Sequence, residues 1–192
     1  MIQKPGLKIR IHSRLNKSRA NGPGTRAVLW LQGCPFDCTG CFNPKLRDFR
    51  GGEEILVDEL IEWAMALKGI DGVSLSGGEP TEQIQALNMF LSGVRERTDL
   101  SVLLFSGRTE KEIFKLAGGR ELMGMIDVII EGQYNRGLAN PPGVWPSSAN
   151  QKMRILTARY NKDNFLGLPE TEIIITEHGE VVESGLGVVN IY

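Results

Sequence analysis

The 192-residue sequence contains three cysteines, and all of them fall in one short stretch, Cys34-Pro-Phe-Asp-Cys38-Thr-Gly-Cys41. The spacing is C-x3-C-x2-C. Three idle thiols are one reading, but no cysteine is left over elsewhere and the clustering argues for a site. An odd count leaves one thiol unpaired in any disulfide scheme, and the reducing compartment expected for this chain disfavours the bond. That leaves metal. A structural zinc ion takes four ligands in a closed tetrahedron, and the fourth would have to be His12 or His178, neither in a zinc spacing. Iron–sulfur cubanes ordinarily take four thiolates. With three, one iron keeps the open coordination position that catalysis requires.

Further downstream, Ser76-Gly77-Gly78-Glu79-Pro80 follows a short apolar run. Glycines there let a backbone approach a ligand without Cβ hindrance, and Glu79 offers a carboxylate suited to an ammonium group. Taken alone, the string also reads as a strand-to-helix turn. Ser106-Gly107-Arg108 ends a third apolar run, and Asp127 and Glu131 bracket a fourth. Each could equally be a plain loop or turn residue.

The cysteine loop after a first strand resembles the radical S-adenosylmethionine (radical SAM) superfamily. The longer strings Asn21-Gly-Pro-Gly-Thr-Arg26 and Gln32-Gly-Cys-Pro-Phe-Asp-Cys-Thr-Gly-Cys-Phe-Asn43 resemble its glycyl-radical-enzyme activating branch, in particular the anaerobic ribonucleotide reductase activating proteins. The resemblance covers about residues 21–157. It implies a [4Fe-4S] cluster on Cys34, Cys38 and Cys41, with S-adenosyl-L-methionine chelated to the free iron. Contacts to that ligand are implied for Gly40, Phe42, Ser76, Gly77, Gly78, Glu79, Ser106 and Glu131, with no catalytic residue beyond the cluster and ligand site. The implied activity is reductive cleavage to a 5′-deoxyadenosyl radical that takes hydrogen from a glycine of a partner glycyl-radical enzyme. Electrons would come from a low-potential donor such as flavodoxin or ferredoxin. Two departures stand out: Gly40 occupies a position that is aromatic in many superfamily members, and Ala149 replaces a serine in Ser147-Ser148-Ala149-Asn150-Gln151. A radical SAM enzyme acting on a peptide or small molecule is the competing reading, and a non-enzymatic zinc or redox-sensing module a more distant one.

Strand-like and helix-like segments must position these residues. Arg26–Leu31, Val73–Ser76, Leu100–Phe105, Met125–Ile130 and Lys152–Thr157 read as strands. Val57, Leu60, Ile61, Ala64 and Leu67 predict a helix over Ile55–Lys68; Ile84, Leu87, Leu91 and Val94 predict a second. Thr109 and Glu112 form a capping box for a helix ending near Gly118-Gly119. Glu172–Thr176 and Glu180–Val182, around Glu177-His178-Gly179, read as a hairpin. This alternation predicts an α/β fold with mostly parallel strands, an open partial (β/α) barrel with a C-terminal hairpin. Both glycine- and cysteine-bearing loops would then share the rim at the strands' C-terminal ends. A single domain over residues 1–192 is expected, with residues 1–20 an N-terminal extension, a core of about 21–157 and the hairpin region in 170–192; the Pro141–Pro146 loop is a rim or partner surface.

Composition is that of a soluble globular protein, 41% hydrophobic and 23% charged. No apolar run approaches the roughly 20 residues of a membrane span, and no apolar stretch follows Lys4, Lys8 and Arg10 to make an export signal. A cytoplasmic protein is expected. Residues 1–50 carry ten Lys/Arg against Asp37 and Asp48, although the net charge is −1. These cations are scattered among apolar residues, as on a solvated face, and nucleic-acid binding is not expected.

Overall fold

The structure, a computed structural model, describes residues 6–175, 179 and 181–185. Seven strands form one sheet: β1 (Lys8–Ser18), β2 (Arg26–Leu31), β3 (Glu53–Leu56), β4 (Gly72–Gly77), β5 (Ser101–Ser106), β6 (Val128–Glu131) and β7 (Lys152–Ile155). Their order is β3-β1-β2-β4-β5-β6-β7. The four central strands, β2, β4, β5 and β6, are parallel. The edges are antiparallel, through β3–β1 and β1–β2 on one side and β6–β7 on the other. A separate antiparallel hairpin joins β8 (Thr171–Ile175) to β9 (Val181–Gly185). The residues expected at its tip, including Glu177 and His178, lie outside the described residues.

Helices α1 (Val57–Ala66) and α2 (Ile84–Arg97), the short α3 (Glu110–Ile113) and α4 (Gly119–Gly124), and four short 3-10 helices complete the elements of the described residues. Alternate strand residues Ala27, Leu29 and Leu31, Val73 and Leu75, Val102 and Leu104, and Ile129 pack with Leu60 and Ile61 of α1 and Leu87, Phe90, Leu91 and Val94 of α2 in one core. Each such fully buried aliphatic or aromatic side chain contributes about 1.5–3 kcal/mol. The opposite sheet face carries Leu103 and Val128 beneath Phe165, with Trp145, Phe105 and Tyr160 against them. Period-two burial on both faces explains why the central strands read as continuous apolar runs.

Three expectations are corrected. Residues 8–18 form a full strand of the sheet, where a mere N-terminal extension was anticipated: Lys8-Ile9-Arg10-Ile11-His12 alternates, and Ile9 and Ile11 are each 1% exposed. The helix expected from Ile55 starts at Val57, because Ile55 and Leu56 pair with Ile9 and Lys8 in β3. The helix capped by Thr109 ends at Ile113 and a second begins at Gly119; the capping box itself is present, with Thr109 and Glu112 satisfying each other's backbone donors.

Candidate metal and cofactor centre

The parallel ladder from β2 to β6 brings the C-terminal ends of these strands to one rim. Leu31 is level with Gly77, and Ser106 with Glu131. A cleft opens there, lined by Cys34, Cys38 and Cys41, by Ser76, Gly77, Gly78 and Glu79, and by Ser106 and Gly107. Phe42 and Tyr134 border it with their rings 4.4 Å apart, and Trp30 and Phe105 add aromatic walls.

The cysteine loop is anchored by backbone bonds. Gly33 N donates to Leu46 O at 2.8 Å, Cys34 N to Arg47 O at 3.2 Å, and Arg136 N to Thr39 O at 3.0 Å. The glycine motif locks onto the same strand end: Gly78 N donates to Leu31 O and Glu79 N to Gly33 O, each at 2.8 Å. This contact demands glycine. Gly77 has φ +109°, and a Cβ on Gly78 would lie 2.2 Å from the Gly33 carbonyl oxygen.

All three thiols are free and partly buried. Burial pushes the Cys34 thiol up to about 11, against the Phe36 backbone N–H that favours its thiolate. Burial also raises Cys38, opposed by the backbone N–H of Tyr134. Among the described residues, no group of three or more His, Cys, Asp or Glu side chains closes on a single ion. His12, weighed as a fourth zinc ligand, faces Gln32 Oε1 at 3.2 Å. Sulfurs around one zinc would each sit about 2.3 Å from it, whereas thiolates on separate irons of a cubane stand farther apart. Three half-buried thiols on one cleft, without a fourth donor among the described residues, fit a cluster better than a closed zinc site.

The remaining expected residues divide. Glu79 is fully buried, and its carboxylate is engaged by the chain itself. Its Oε1 accepts from Thr81 N at 3.0 Å, Thr81 Oγ1 at 2.7 Å and Ser106 Oγ at 2.8 Å, and its Oε2 from Gly107 N at 2.7 Å. It braces the glycine motif against the end of β5, with only Oε2 retaining acceptor capacity. Ser106 Oγ is also engaged by the chain, donating to Glu79 and accepting from Arg108 N at 3.0 Å, with one lone pair left. Glu131 is also turned inward: its carboxylate accepts from Arg154 Nε at 2.6 Å and from the Glu110 N–H that opens α3. Gly132, its neighbour, is the residue of that turn on the cleft. Gly40, at φ +75°, packs under the Arg136 side chain.

Sequence reasoning passed over Tyr134, Trp30, Phe105 and Phe36, all on the cleft. Trp30 and Phe105 carried a signal, since they alternate with the core-facing Leu29, Leu31 and Leu104. Ser147 and Gln151 line the cleft, whereas Ala149 does not. From the Pro141–Pro146 loop, Trp145 packs inward against Phe105 and Phe165, at ring separations of 5.9 and 5.5 Å.

Comparison with known proteins points to an iron–sulfur domain. Residues 20–154 match the family described as "4Fe-4S single cluster domain". The anaerobic ribonucleoside-triphosphate reductase-activating protein of Haemophilus influenzae is 35% identical over 140 residues, 68% of this chain and 88% of that protein. The activating protein of the same name from Enterobacteria phage T4 is 31% identical over 138 residues, 69% of this chain and 85% of its own length. No helix among the described residues is long and apolar enough to cross a membrane. The chain thus belongs to the 4Fe-4S single cluster domain family, among the relatives of the anaerobic ribonucleoside-triphosphate reductase-activating proteins.

Proposed function

We propose that this chain is a cytoplasmic radical SAM oxidoreductase that activates a partner enzyme by abstracting hydrogen from one of its glycines. The observation that carries this reading is the meeting of three free cysteines and the Gly77-Gly78 turn on one cleft. Cys34, Cys38 and Cys41 would hold the [4Fe-4S] cluster, which supplies an open iron and the electron for reductive cleavage of S-adenosyl-L-methionine. The chain's own residues bind and orient. The bare backbone of Gly77 and Gly78 admits the ligand's methionine end, beside Ser76. Phe42, with Tyr134 behind it, supplies an aromatic surface next to Cys41. Glu79 and Ser106 hold the cleft's floor in shape, and Glu131 fixes the neighbouring turn through Arg154.

We read the seven-stranded sheet as the open part-barrel of one domain. Its cleft lies at the ends of parallel strands, where α/β proteins bind ligands. The names of the relatives favour an anaerobic ribonucleotide reductase as the partner, with flavodoxin or ferredoxin as the electron source.

Anaerobic reconstitution with iron and sulfide tests the proposal. The wild-type chain should take up a cluster whose reduced-state EPR spectrum shifts on addition of S-adenosyl-L-methionine. Cys38→Ala should lose most of its iron; uptake equal to wild type would remove the cysteines from the site.

A further inference from the structure

Phe36 sits between Cys34 and Cys38, yet nothing in the thiol chemistry calls for an aromatic ring there. Its ring faces Arg108, whose guanidinium carbon is 5.3 Å from the ring centroid. Arg108 is only 19% exposed and is clipped from behind. Its Nη1 donates to Thr81 Oγ1 at 2.8 Å, its Nη2 pairs with Glu82, and Nη1 lies 3.8 Å from Glu79 Oε1. A planar guanidinium held at its edge presents its flat face to an aromatic partner. Beside it, a Cβ on Gly107 would stand 2.6 Å from the Phe36 ring, so glycine leaves the space the ring occupies. The side-chain ion pair on this span, Arg47 to Asp37 at 2.7 Å, involves a carboxylate 85% exposed and holds weakly.

We propose that Arg108 is a positioning residue for the metal-binding loop: with Gly107 it forms a socket for Phe36, and so holds the Cys34–Cys38 span in ligand-ready geometry. The proposal rests on these cysteines being the cluster ligands. The socket couples the loop to the glycine motif, because Arg108 grips Thr81 and Glu82 just beyond Glu79. A disturbance at the ligand-binding turn is thereby transmitted to the spacing of two thiols.

The test follows loss of iron from the anaerobically reconstituted full-length chain to a ferrous chelator, with thermal unfolding of the metal-free protein as a fold control. Arg108→Met and Phe36→Leu should each release iron at least about fivefold faster than wild type. Phe36→Tyr, which keeps the ring face, should stay close to wild type. In the double variant the two effects should overlap and not multiply, because either change alone empties the same contact. Should Arg108→Met fail to fold, the Phe36→Leu and Phe36→Tyr pair decides alone. Wild-type release rates in Phe36→Leu, equal losses in Phe36→Leu and Phe36→Tyr, or multiplicative effects would overturn the socket. A wild-type chain that takes up no cluster is a distinct outcome, and it refutes the ligand assignment itself.

Discussion

Replacing Glu79 with Gln separates a frame-building role from a ligand-binding one. The carboxylate accepts four hydrogen bonds of 2.7–3.0 Å from Thr81, Ser106 and Gly107, and it is fully buried. A glutamine amide must turn its NH2 toward one of these donor sets. Placed at Oε2 it meets the Gly107 N–H; placed at Oε1 it meets the Thr81 N–H, since the two hydroxyls can rotate but a backbone amide cannot. One buried donor is stranded either way, at about 1–3 kcal/mol, and the surviving bonds fall from charge-assisted to neutral strength. Arg108 also loses the charge 3.8 Å away. Together these predict a loss of about 3–5 kcal/mol, the usual range for breaking a buried charged network. In a chain of this size the melting temperature should fall by roughly 10 °C. Urea and thermal unfolding of the metal-free protein measure it directly. A loss below about 1 kcal/mol with an unchanged denaturant slope would falsify the brace, and would return Glu79 to a purely ligand-facing role.

Three further outcomes are expected. Gly78→Ala forces its methyl group onto the Gly33 carbonyl 2.2 Å away, so the glycine and cysteine loops should part; a lowered melting temperature together with reduced iron uptake is expected, and normal values for both would contradict the contact. Asp127 is 1% exposed; burial pushes its carboxyl up, but the Val102 N–H, the Thr157 hydroxyl and Arg95 outweigh this and hold it below the usual range. Its contribution is therefore present above the unfolded value of about 3.9 and lost as pH falls through the lower folded value. Asp127→Asn should cost about 3–5 kcal/mol at neutral pH and flatten the acid limb of a stability–pH curve, whereas an unchanged limb would refute the assignment. Arg26, 0% exposed, donates to Ser74, Ser101 and Tyr160 and to the Pro23, Val73 and Ser101 carbonyls. Arg26→Lys, with three donors on a point charge, should lose about 2–4 kcal/mol in urea unfolding; wild-type stability would show that these bonds contribute little.

Much of this architecture is local, and so it could be read from residue order. The cysteine loop is a few consecutive residues, and the apolar periodicities of Arg26–Leu31 and Ile84–Val94 mark β2 and most of α2. The Thr109–Glu112 capping box spans one helical turn and forms as expected. Strand β1 was missed because its apolar alternation is brief and interleaved with cations. The early end of the Thr109 helix was missed because Gly118-Gly119 could close one helix or open another, and packing against α2 chose the second.

What residue order determined is the donor chemistry: three thiols one short of a closed site, and a glycine pair able to bring backbone close to a ligand. The tertiary structure decided which carboxylates are available. Glu79 and Glu131 look like ligand-facing acids in sequence, but parallel pairing of β4, β5 and β6 brings Ser106, Gly107 and the start of α3 to them, and the antiparallel β7 brings Arg154. A buried carboxylate must be satisfied where it lies, and apart from Thr81 its partners are more than 20 residues away along the chain. Only the fold could show that these acids hold the cleft together, and that Phe36 finds Arg108 across it.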